Sequence, residues 1–481
     1  MFSRFWAIKI FLTANGILLN LVLPLICISM NGERKQLSLF ALTMIAIGAT
    51  IASGIFKTPA AIASKIHGNQ TILWLWVLGG VVSLIGALVF AEMGSRFSRA
   101  GGVYTYLNKA YGTLPGFLYG WCLLTVISSG TIAALCTVFA ENILILTGMD
   151  PSAKVYVAAG SVVVLTLFNT FGLRYSEWFA NAGTILKMIG IYALLVSIVA
   201  LGKEAVVPDG GFTPVLHEGD DFAGALVKVL WTFTGWHYAS FVAADAENPK
   251  RNIPLAMLIG TSVVTLTYVL INIGYFKVFP HDTIASFSLL GNEKITAVEA
   301  MEAVIPGSGR WISLLIALSV FAGAGLYILS TPRIFNQMAS EGLFFRIFAG
   351  KHPRFGVPVN AILLQSGWAI FLVVLWGTFE SIIDYVTFIE WLFLLLACTG
   401  IFFIRARYRN EAAPAFRVPL YPVLPLLFIL VVGWFITMNI FAERAEYYAG
   451  LAVIPIGILL YYTVFRAAAK NKAAGETDSE N

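Results

Sequence analysis

The sequence contains little charge. Asp, Glu, Lys and Arg make up 12% of its 481 residues, whereas 58% are hydrophobic. A soluble globular domain carries about 25% charged residues. A chain with so few charged side chains cannot cover a water-soluble surface with them, and the composition therefore indicates an integral membrane protein.

Cysteines and catalytic motifs are also scarce. The four cysteines, Cys27, Cys122, Cys136 and Cys398, all lie inside apolar segments, so no disulfide framework is predicted. No P-loop, His-Glu-x-x-His or Gly-x-Ser-x-Gly sequence is present, and the five histidines are scattered. We therefore expect no enzyme, no cofactor, no metal site, no ATP hydrolysis and no nucleic-acid partner.

What the sequence has instead is a series of apolar segments. A helix needs about 20 such residues to cross a bilayer. The predicted fold is an all-α integral membrane protein with about twelve transmembrane helices, numbered here as spans one to twelve, at residues 38–65, 72–95, 113–147, 155–172, 175–201, 223–245, 253–279, 310–339, 358–377, 382–404, 420–441 and 447–466.

Positive charge is concentrated in alternate loops, which contain for example Arg96, Lys250, Arg251 and Arg405. Cytoplasmic loops carry an excess of Lys and Arg. This distribution predicts that both ends of the twelve-span unit face the cytoplasm, and we expect a multi-pass protein of the cell inner membrane. Residues 467–481 are small and polar, and are predicted to form a disordered cytoplasmic tail.

An additional apolar segment occupies residues 1–30, with Arg4 and Lys9 near its start. It is interpreted as an extra span, a cleaved signal peptide or the product of an upstream start codon. The polar run from Met30 to Gln36 resembles a natural cytoplasmic N-terminus, and no small-x-small cleavage site is present. We favour Met30 as the true start.

Two spans carry interruptions. Residues 48–56 read Gly-Ala-Thr-Ile-Ala-Ser-Gly-Ile-Phe, and residues 231–240 read Trp-Thr-Phe-Thr-Gly-Trp-His-Tyr-Ala-Ser. Because backbone groups cannot stay unpaired in lipid, such breaks must be enclosed by protein or line a cavity. Their matching positions in spans one and six are typical of transporters with inverted repeats and a midplane site. The predicted transporter domain comprises residues 31–466, with one repeat at 38–201, a second at 223–404 and extra helices at 420–466.

The first break has the groups to bind a zwitterion. If one helix ends near Thr50 and the next begins near Ser53, the N–H groups of Ala52, Ser53 and Gly54 can bind a carboxylate at the positive end of the helix dipole. The carbonyl groups that end the first helix, including that of Ile51, can accept bonds from an ammonium. The alternative is a glycine face that packs helices together.

In the second break, Trp231, Thr232, Phe233 and Thr234 are predicted to line the same site. Trp231 is placed as an aromatic gate that closes over a bound solute. The alternative is ordinary aromatic packing, and His237 is expected to be structural.

Lys187 lies in the middle of span five. A lysine at a helix centre costs about 2.5–3.5 kcal/mol on insertion scales. We predict that it points inward, binds carbonyl groups of the first break and substitutes for a bound sodium ion, and it could also carry a proton. The alternative is a structural ion pair.

Other charged residues are interpreted as gate salt bridges or topology signals; these are Glu92, Arg96, Arg99, Asp245, Glu247, Lys250, Arg251 and Arg333. Glu141 and Glu390 are placed near span ends and receive no role. No acidic residue stands in either break.

Three stretches together resemble the amino acid–polyamine–organocation superfamily, and within it the L-type amino acid transporter group: residues 48–59, residues 79–107, and Gly235-Trp236 with residues 247–254. The resemblance covers roughly residues 36–466. It implies a leucine-transporter-like fold of five plus five inverted repeats and sodium-independent amino acid transport, often by exchange. It also implies that the first break binds the substrate, that Trp231 is the gate and that Lys187 occupies the vacated sodium position.

This chain departs from the family pattern at several positions. Ala52 stands where a glycine is usual, Ala244-Asp245 replaces paired glutamates, and residues 323–325 replace small polar residues in span eight. The substrate therefore cannot be transferred. Animal members use a cysteine to bond a glycoprotein; residues 148–154 contain none, so no such partner is expected.

We expect a secondary active transporter of neutral L-amino acids that works by alternating access, through exchange or proton coupling. The alternative is a polyamine or cationic amino acid antiporter, which an acidic residue at the pocket would favour. A channel would show filter-like repeats or charge rings, and a membrane sensor would carry a soluble output domain; neither is recognised.

Overall fold

The computed structural model describes residues 37–97, 101–170, 173–202, 219–288, 294–376, 379–441 and 445–466. The chain divides into residues 1–37, of which only Leu37 is described, and residues 38–481, which hold all the helices of the described ranges. The predicted extension 1–30 and tail 467–481 lie outside the described residues.

The described ranges contain 18 α-helices, two π-helical turns and three 3₁₀ helices. The α-helices are α1 (Leu39–Thr50), α2 (Gly54–Ala63), α3 (Asn69–Arg96), α4 (Gly102–Tyr111), α5 (Thr113–Cys122), α6 (Ser128–Thr147), α7 (Lys154–Thr170), α8 (Leu173–Leu201), α9 (Phe222–Phe233), α10 (Pro249–Val278), α11 (His281–Ser286), α12 (Thr296–Val304), α13 (Gly309–Ser330), α14 (Pro332–Ser340), α15 (Val359–Trp376), α16 (Phe379–Arg407), α17 (Val423–Phe441) and α18 (Ala445–Leu460). Two π-helical turns, Leu123–Ile127 and Tyr461–Phe465, join or extend them, and short 3₁₀ helices occur at Pro151–Ala153 and Arg346–Phe348. A longer 3₁₀ segment, Trp236–Asp245, follows α9.

Within these ranges, nine helical stretches are long and apolar enough to cross a membrane. Two shorter apolar helices occur at Val359–Leu375 and Leu451–Phe465. The remaining apolar segment is divided between α9 and the 3₁₀ segment. The prediction of an all-α membrane protein is confirmed, and each predicted span has a helical counterpart.

Both predicted interruptions are present. The first helix ends at Thr50, Ile51 is extended with φ −79° and ψ 92°, and α2 begins at Gly54. In the second, α9 ends at Phe233, Thr234 is extended, and Gly235 has φ +130°. Side-chain-bearing residues rarely adopt that φ, so glycine is required where the chain turns into the 3₁₀ segment.

The two interrupted helices lie side by side. The half-helix α1 packs against the 3₁₀ segment, while α2 packs against α9. At the crossing, a Cβ atom added to Gly235 would lie 2.6 Å from the backbone of Ala49 and Thr50, and one added to Gly54 would lie 2.5 Å from Thr232 Oγ1. The two breaks therefore meet in backbone contact, and α8, α10 and α13 surround α1.

Candidate functional site

Lys187 reaches the first break from α8. Its side chain is fully buried, and Nζ donates to Gly48 O at 3.0 Å and to Ile51 O at 2.7 Å. These are carbonyl groups at the end of α1, where the last turn of a helix has no intrahelical donors. The ammonium therefore joins the broken segment to α8, with the carbonyl contacts that the sequence predicts for it.

Two tyrosines lie within hydrogen-bond distance of the carbonyl groups of Ala49 and Thr50, which stand in the chain between the two that Lys187 binds. Tyr327 Oη of α13 donates to Ala49 O at 3.3 Å. Tyr268 Oη of α10 lies 3.0 Å from Thr50 O and 3.1 Å from Thr232 O, and can give its single proton to either. Tyr268 thus bridges the two breaks. Sequence analysis missed both residues, because a tyrosine inside a span carries no local signal of such a contact.

Among the described residues, the N–H groups of Ala52, Ser53 and Gly54 at the first break have no hydrogen-bond acceptor. The N–H groups of Ala52, Ser53 and Gly54 precede the first hydrogen-bonded turn of α2, which starts with Phe56 and Lys57 donating to Ser53 O. Ser53 Oγ is buried and has no hydrogen-bond partner among the described residues. Successive free N–H groups at a helix start attract a negatively charged oxygen. This geometry can hold a carboxylate without an arginine.

Gly323 of span eight lies beside this segment. A Cβ atom added to Gly323 of α13 would lie 3.7 Å from Ala52 Cβ and 3.8 Å from Lys187 Nζ, which are ordinary contact distances. The glycine that replaces a polar residue in this span therefore faces both the broken segment and its lysine.

The predicted residues of the second break lie where the breaks meet. Thr232 Oγ1 donates to Lys228 O and lies 3.1 Å from Thr58 Oγ1, while Thr234 Oγ1 accepts from the Trp391 indole at 3.1 Å. The Phe233 ring contacts the Tyr268 ring, with centroids 5.1 Å apart. These side chains already have protein partners, so they shape the site more than they offer free polar groups.

Trp231 occupies the last turn of α9 and is 6% exposed. Its carbonyl accepts from Thr234 N at 3.1 Å, in the turn that ends the helix. Trp231 is therefore part of the interrupted segment, and a change in the backbone conformation of the second break would move its indole. Its role as a gate stays a prediction.

The prediction that Glu390 lies near a span end is wrong. At about 1.5 Å per residue, it lies about 16 Å from the start of α16 and about 25 Å from its end. Its carboxylate is fully buried, 3.3 Å from His237 Nε2 and 3.3 Å from Tyr238 Oη. The rule that flagged Lys187, that a charge inside a span needs a reason, would also have found Glu390. An acidic group therefore does lie against the second break in space, although none stands in it along the chain.

Charged residues at the helix ends form ion pairs. Arg405 binds Glu92 through two hydrogen bonds of 2.8 and 2.6 Å. Arg333 Nε donates at 2.8 Å to Asp245, the last residue of the 3₁₀ segment. Glu92, Asp245 and Arg333 therefore form salt bridges, and their role as gates stays a prediction.

Ion pairs also join helices at the opposite end of the spans. Lys65 pairs with Asp221 at 2.7 Å, and Glu141 lies 2.7 Å from Lys154 and 3.7 Å from Lys57. The first pair ties the end of α2 to the start of α9. The interrupted helix formed by α9 and the 3₁₀ segment is thus held by ion pairs at both ends, and the one formed by α1 and α2 at its α2 end.

Within the described residues, no group of His, Cys, Asp and Glu side chains could hold a metal ion. Cys122, Cys136 and Cys398 are free and buried.

The fold and the site define a multi-pass membrane protein whose centre is built from the backbone groups of two interrupted helices. The chain belongs to the amino acid permease family, whose model matches residues 37–461. The predicted membership of the amino acid–polyamine–organocation superfamily is thereby confirmed.

Individual relatives cover most of the chain. The serine/threonine exchanger SteT of Bacillus subtilis (strain 168) is 29% identical over 89% of this chain and 97% of its own length. Human b(0,+)-type amino acid transporter 1 is 27% identical over 90% of this chain and 88% of its own. The human cystine/glutamate transporter is 26% identical over 89% of this chain and 85% of its own.

Proposed function

We propose that this protein is an alternating-access carrier of neutral L-amino acids, independent of sodium, in the cell inner membrane. The observation that carries the proposal is the geometry of the first break. The N–H groups of Ala52, Ser53 and Gly54 lie at the start of α2, and the last carbonyl groups of α1 lie on the other side of the break. A zwitterion presents the complementary charges at its two ends.

The carboxylate of the substrate would bind the N–H groups of α2 and the hydroxyl of Ser53. Its ammonium would approach the carbonyl groups at the end of α1. Protein donors already hold these groups, but each carbonyl oxygen has two lone pairs and can accept a second bond. Trp231, in the last turn of α9, would close over the bound side chain.

Sodium independence is supported by Lys187. Its ammonium lies 3.0 and 2.7 Å from two carbonyl oxygens of the broken segment, which is the kind of coordination that a bound sodium ion would otherwise receive. A fixed cation removes the need for a mobile one.

The twelve-span, five-plus-five arrangement belongs to this proposal. Nine long spans, two shorter apolar helices and the divided helix of α9 and the 3₁₀ segment are compatible with twelve crossings. An even number of crossings, with the Lys and Arg bias, would place both ends of residues 31–466 in the cytoplasm.

The test is uptake into liposomes that contain the purified protein. Labelled neutral, cationic and acidic L-amino acids are compared with and without unlabelled amino acid inside, in sodium and in choline buffer. We expect saturable counterflow of neutral amino acids that does not change when sodium is removed. Failure of every amino acid to enter above protein-free liposomes would reject the proposal, and uptake that does not saturate would indicate a pore.

A cationic amino acid or polyamine antiporter is the second candidate. It is favoured by Glu390, whose Oε2 atom is buried without a hydrogen-bond partner among the described residues. Preference for arginine, lysine or putrescine over neutral amino acids in the same panel would support it.

A further inference from the structure

The buried pair of His237 and Glu390 has no part in the binding proposed for a neutral amino acid. The pair connects the 3₁₀ segment after the second break to α16, and both side chains have an exposed fraction of zero. Among the described residues, Glu390 Oε2 and both ring nitrogens of His237 lack hydrogen-bond partners, although His237 Nε2 lies 3.3 Å from Glu390 Oε1. Each side chain therefore has an unused position for a proton or a polar partner.

Burial decides which charge state the pair can hold. A neutral imidazole beside a carboxylate has a net charge of −1, whereas one added proton makes the pair neutral in total, on either side chain. A charge far from water is costly unless it is compensated. A proton shared by the two side chains would cancel this charge, and it would belong to the pair rather than to either residue.

The surroundings contain few other charges. Among the described residues, the titratable groups that interact with Glu390 are His237 and three tyrosines, Tyr119 of α5, Tyr238 of the 3₁₀ segment and Tyr327 of α13. From α3, the Phe90 ring faces the imidazole with centroids 6.4 Å apart. A carboxylate facing tyrosines and an imidazole has only the imidazole as a source of positive charge.

The pair is also joined to both breaks. Trp391, the residue after Glu390, donates to Thr234 Oγ1 at the second break. The rings of Tyr238 and Tyr327 have centroids 4.6 Å apart, and Tyr327 Oη donates to Ala49 O in the first break. A change in how α16 contacts the 3₁₀ segment would therefore reach both halves of the site.

We propose that His237 and Glu390 form a proton-binding site that couples proton binding to the movement of the second break. The inference rests on the proposed function, because it assigns the coupling ion of the same carrier. With the proton bound, the neutral pair holds α16 against the 3₁₀ segment. When the helices separate and water enters, the carboxylate becomes hydrated, and the proton leaves to water.

The experiment measures the pH dependence of counterflow in liposomes, with whichever neutral L-amino acid the panel identifies. Equal pH on both sides is varied between about 5 and 8, the range in which histidine sites usually titrate. The variants are Glu390→Gln and His237→Asn. The matched control is Glu411→Gln, which changes a carboxylate that is 62% exposed and lies 3.8 Å from Arg96.

For a one-proton step, the wild-type rate should change by up to about tenfold per pH unit over part of this range. Glu390→Gln should still exchange amino acid but with a flattened profile, and Glu411→Gln should follow the wild type. An unchanged profile in an active Glu390→Gln variant would overturn the proposal. So would a variant that loses only cationic substrates, because Glu390 would then be a substrate ligand.

A second measurement does not depend on transport. Infrared difference spectra of the purified full-length protein between the two ends of the pH range should show a carboxylic acid band that Glu390→Gln removes and Glu411→Gln keeps. Absence of that band in the wild type would overturn the proton site even if transport is found. If no amino acid is transported but the band is present, the proposed function fails while the proton site stands. Should Glu390→Gln not fold, His237→Asn serves, because removal of the imidazole should shift the pH at which the band appears.

Discussion

Gly235→Ala should separate the two breaks. The added methyl group would lie 2.6 Å from the carbonyl carbon of Ala49 and from the backbone nitrogen of Thr50. Cβ atoms do not approach backbone atoms so closely, and backbone cannot rotate away as a flexible side chain can. The substitution also requires an alanine at φ +130°.

Both effects have the same sign. A residue held in a sparsely populated backbone region costs about 1–3 kcal/mol. Overpacking of a close contact costs about 1–3 kcal/mol. Together they destabilise the crossing by about 2–6 kcal/mol, and the strain is located where α1 meets the 3₁₀ segment. We therefore expect loss of transport together with a fall of several degrees in the thermal midpoint.

The assay combines counterflow with thermal unfolding of the purified protein. Gly433→Ala is the control, because Gly433 lies inside α17 and an added Cβ atom meets no heavy atom within 4 Å. Alanine is favoured over glycine in a helix by roughly 0.5–1 kcal/mol, so this variant should be active and at least as stable as the wild type. If Gly235→Ala transports and melts like the wild type, the backbone contact between the breaks does not exist as described.

Three further predictions concern single side chains. Lys187→Met should abolish counterflow while changing the thermal midpoint little. Two buried carbonyl groups lose their donor at about 1–3 kcal/mol each, but removal of a mid-span charge recovers about 2.5–3.5 kcal/mol. Retained counterflow would contradict the assigned contacts. Tyr268→Phe should lower the thermal midpoint, since a buried carbonyl group at the crossing of the two breaks loses its donor at about 1–3 kcal/mol. Tyr275→Phe, about two turns along the same helix, removes a hydroxyl that has no partner among the described residues and should melt like the wild type. Glu302, between the spans, accepts hydrogen bonds from the N–H groups of Gly307 and Gly309, which hold the pKa of its carboxyl below the usual value. The stabilisation from these bonds is present above about pH 4.3 and is lost as the pH falls through the lowered pKa. Glu302→Gln should therefore lower the thermal midpoint at pH 7, and the difference from the wild type should disappear in acid.

The breaks and Lys187 could be predicted because each violates a local rule. Glycines and hydroxyls inside an apolar span weaken the helix, and a lysine far from both ends must find a buried partner. Such signals are contained in a few neighbouring residues. The positions of the breaks along the chain could therefore be predicted, and the structure places them within a residue or two of the expected positions.

The tyrosines could not be predicted in the same way. Tyr268 and Tyr327 are ordinary residues for a membrane helix, and their contacts depend on how three helices meet around α1. Glu390 was misjudged because the ends of its span were uncertain, and α16 extends far enough to make it central. Features that depend on packing between distant helices leave no pattern in a single sequence.

The carbonyl groups that end α1 are held by Lys187, Tyr268 and Tyr327 even without cargo. In a carrier, the substrate-free centre would then have no unsatisfied carbonyl oxygens at the end of α1. The change of the substrate-free protein from inward-facing to outward-facing would meet no penalty from them. Strict one-for-one exchange would then have to be enforced by a different element of the molecule. Unless another contact prevents the substrate-free protein from changing orientation, such a carrier would let amino acid move down its gradient without exchange.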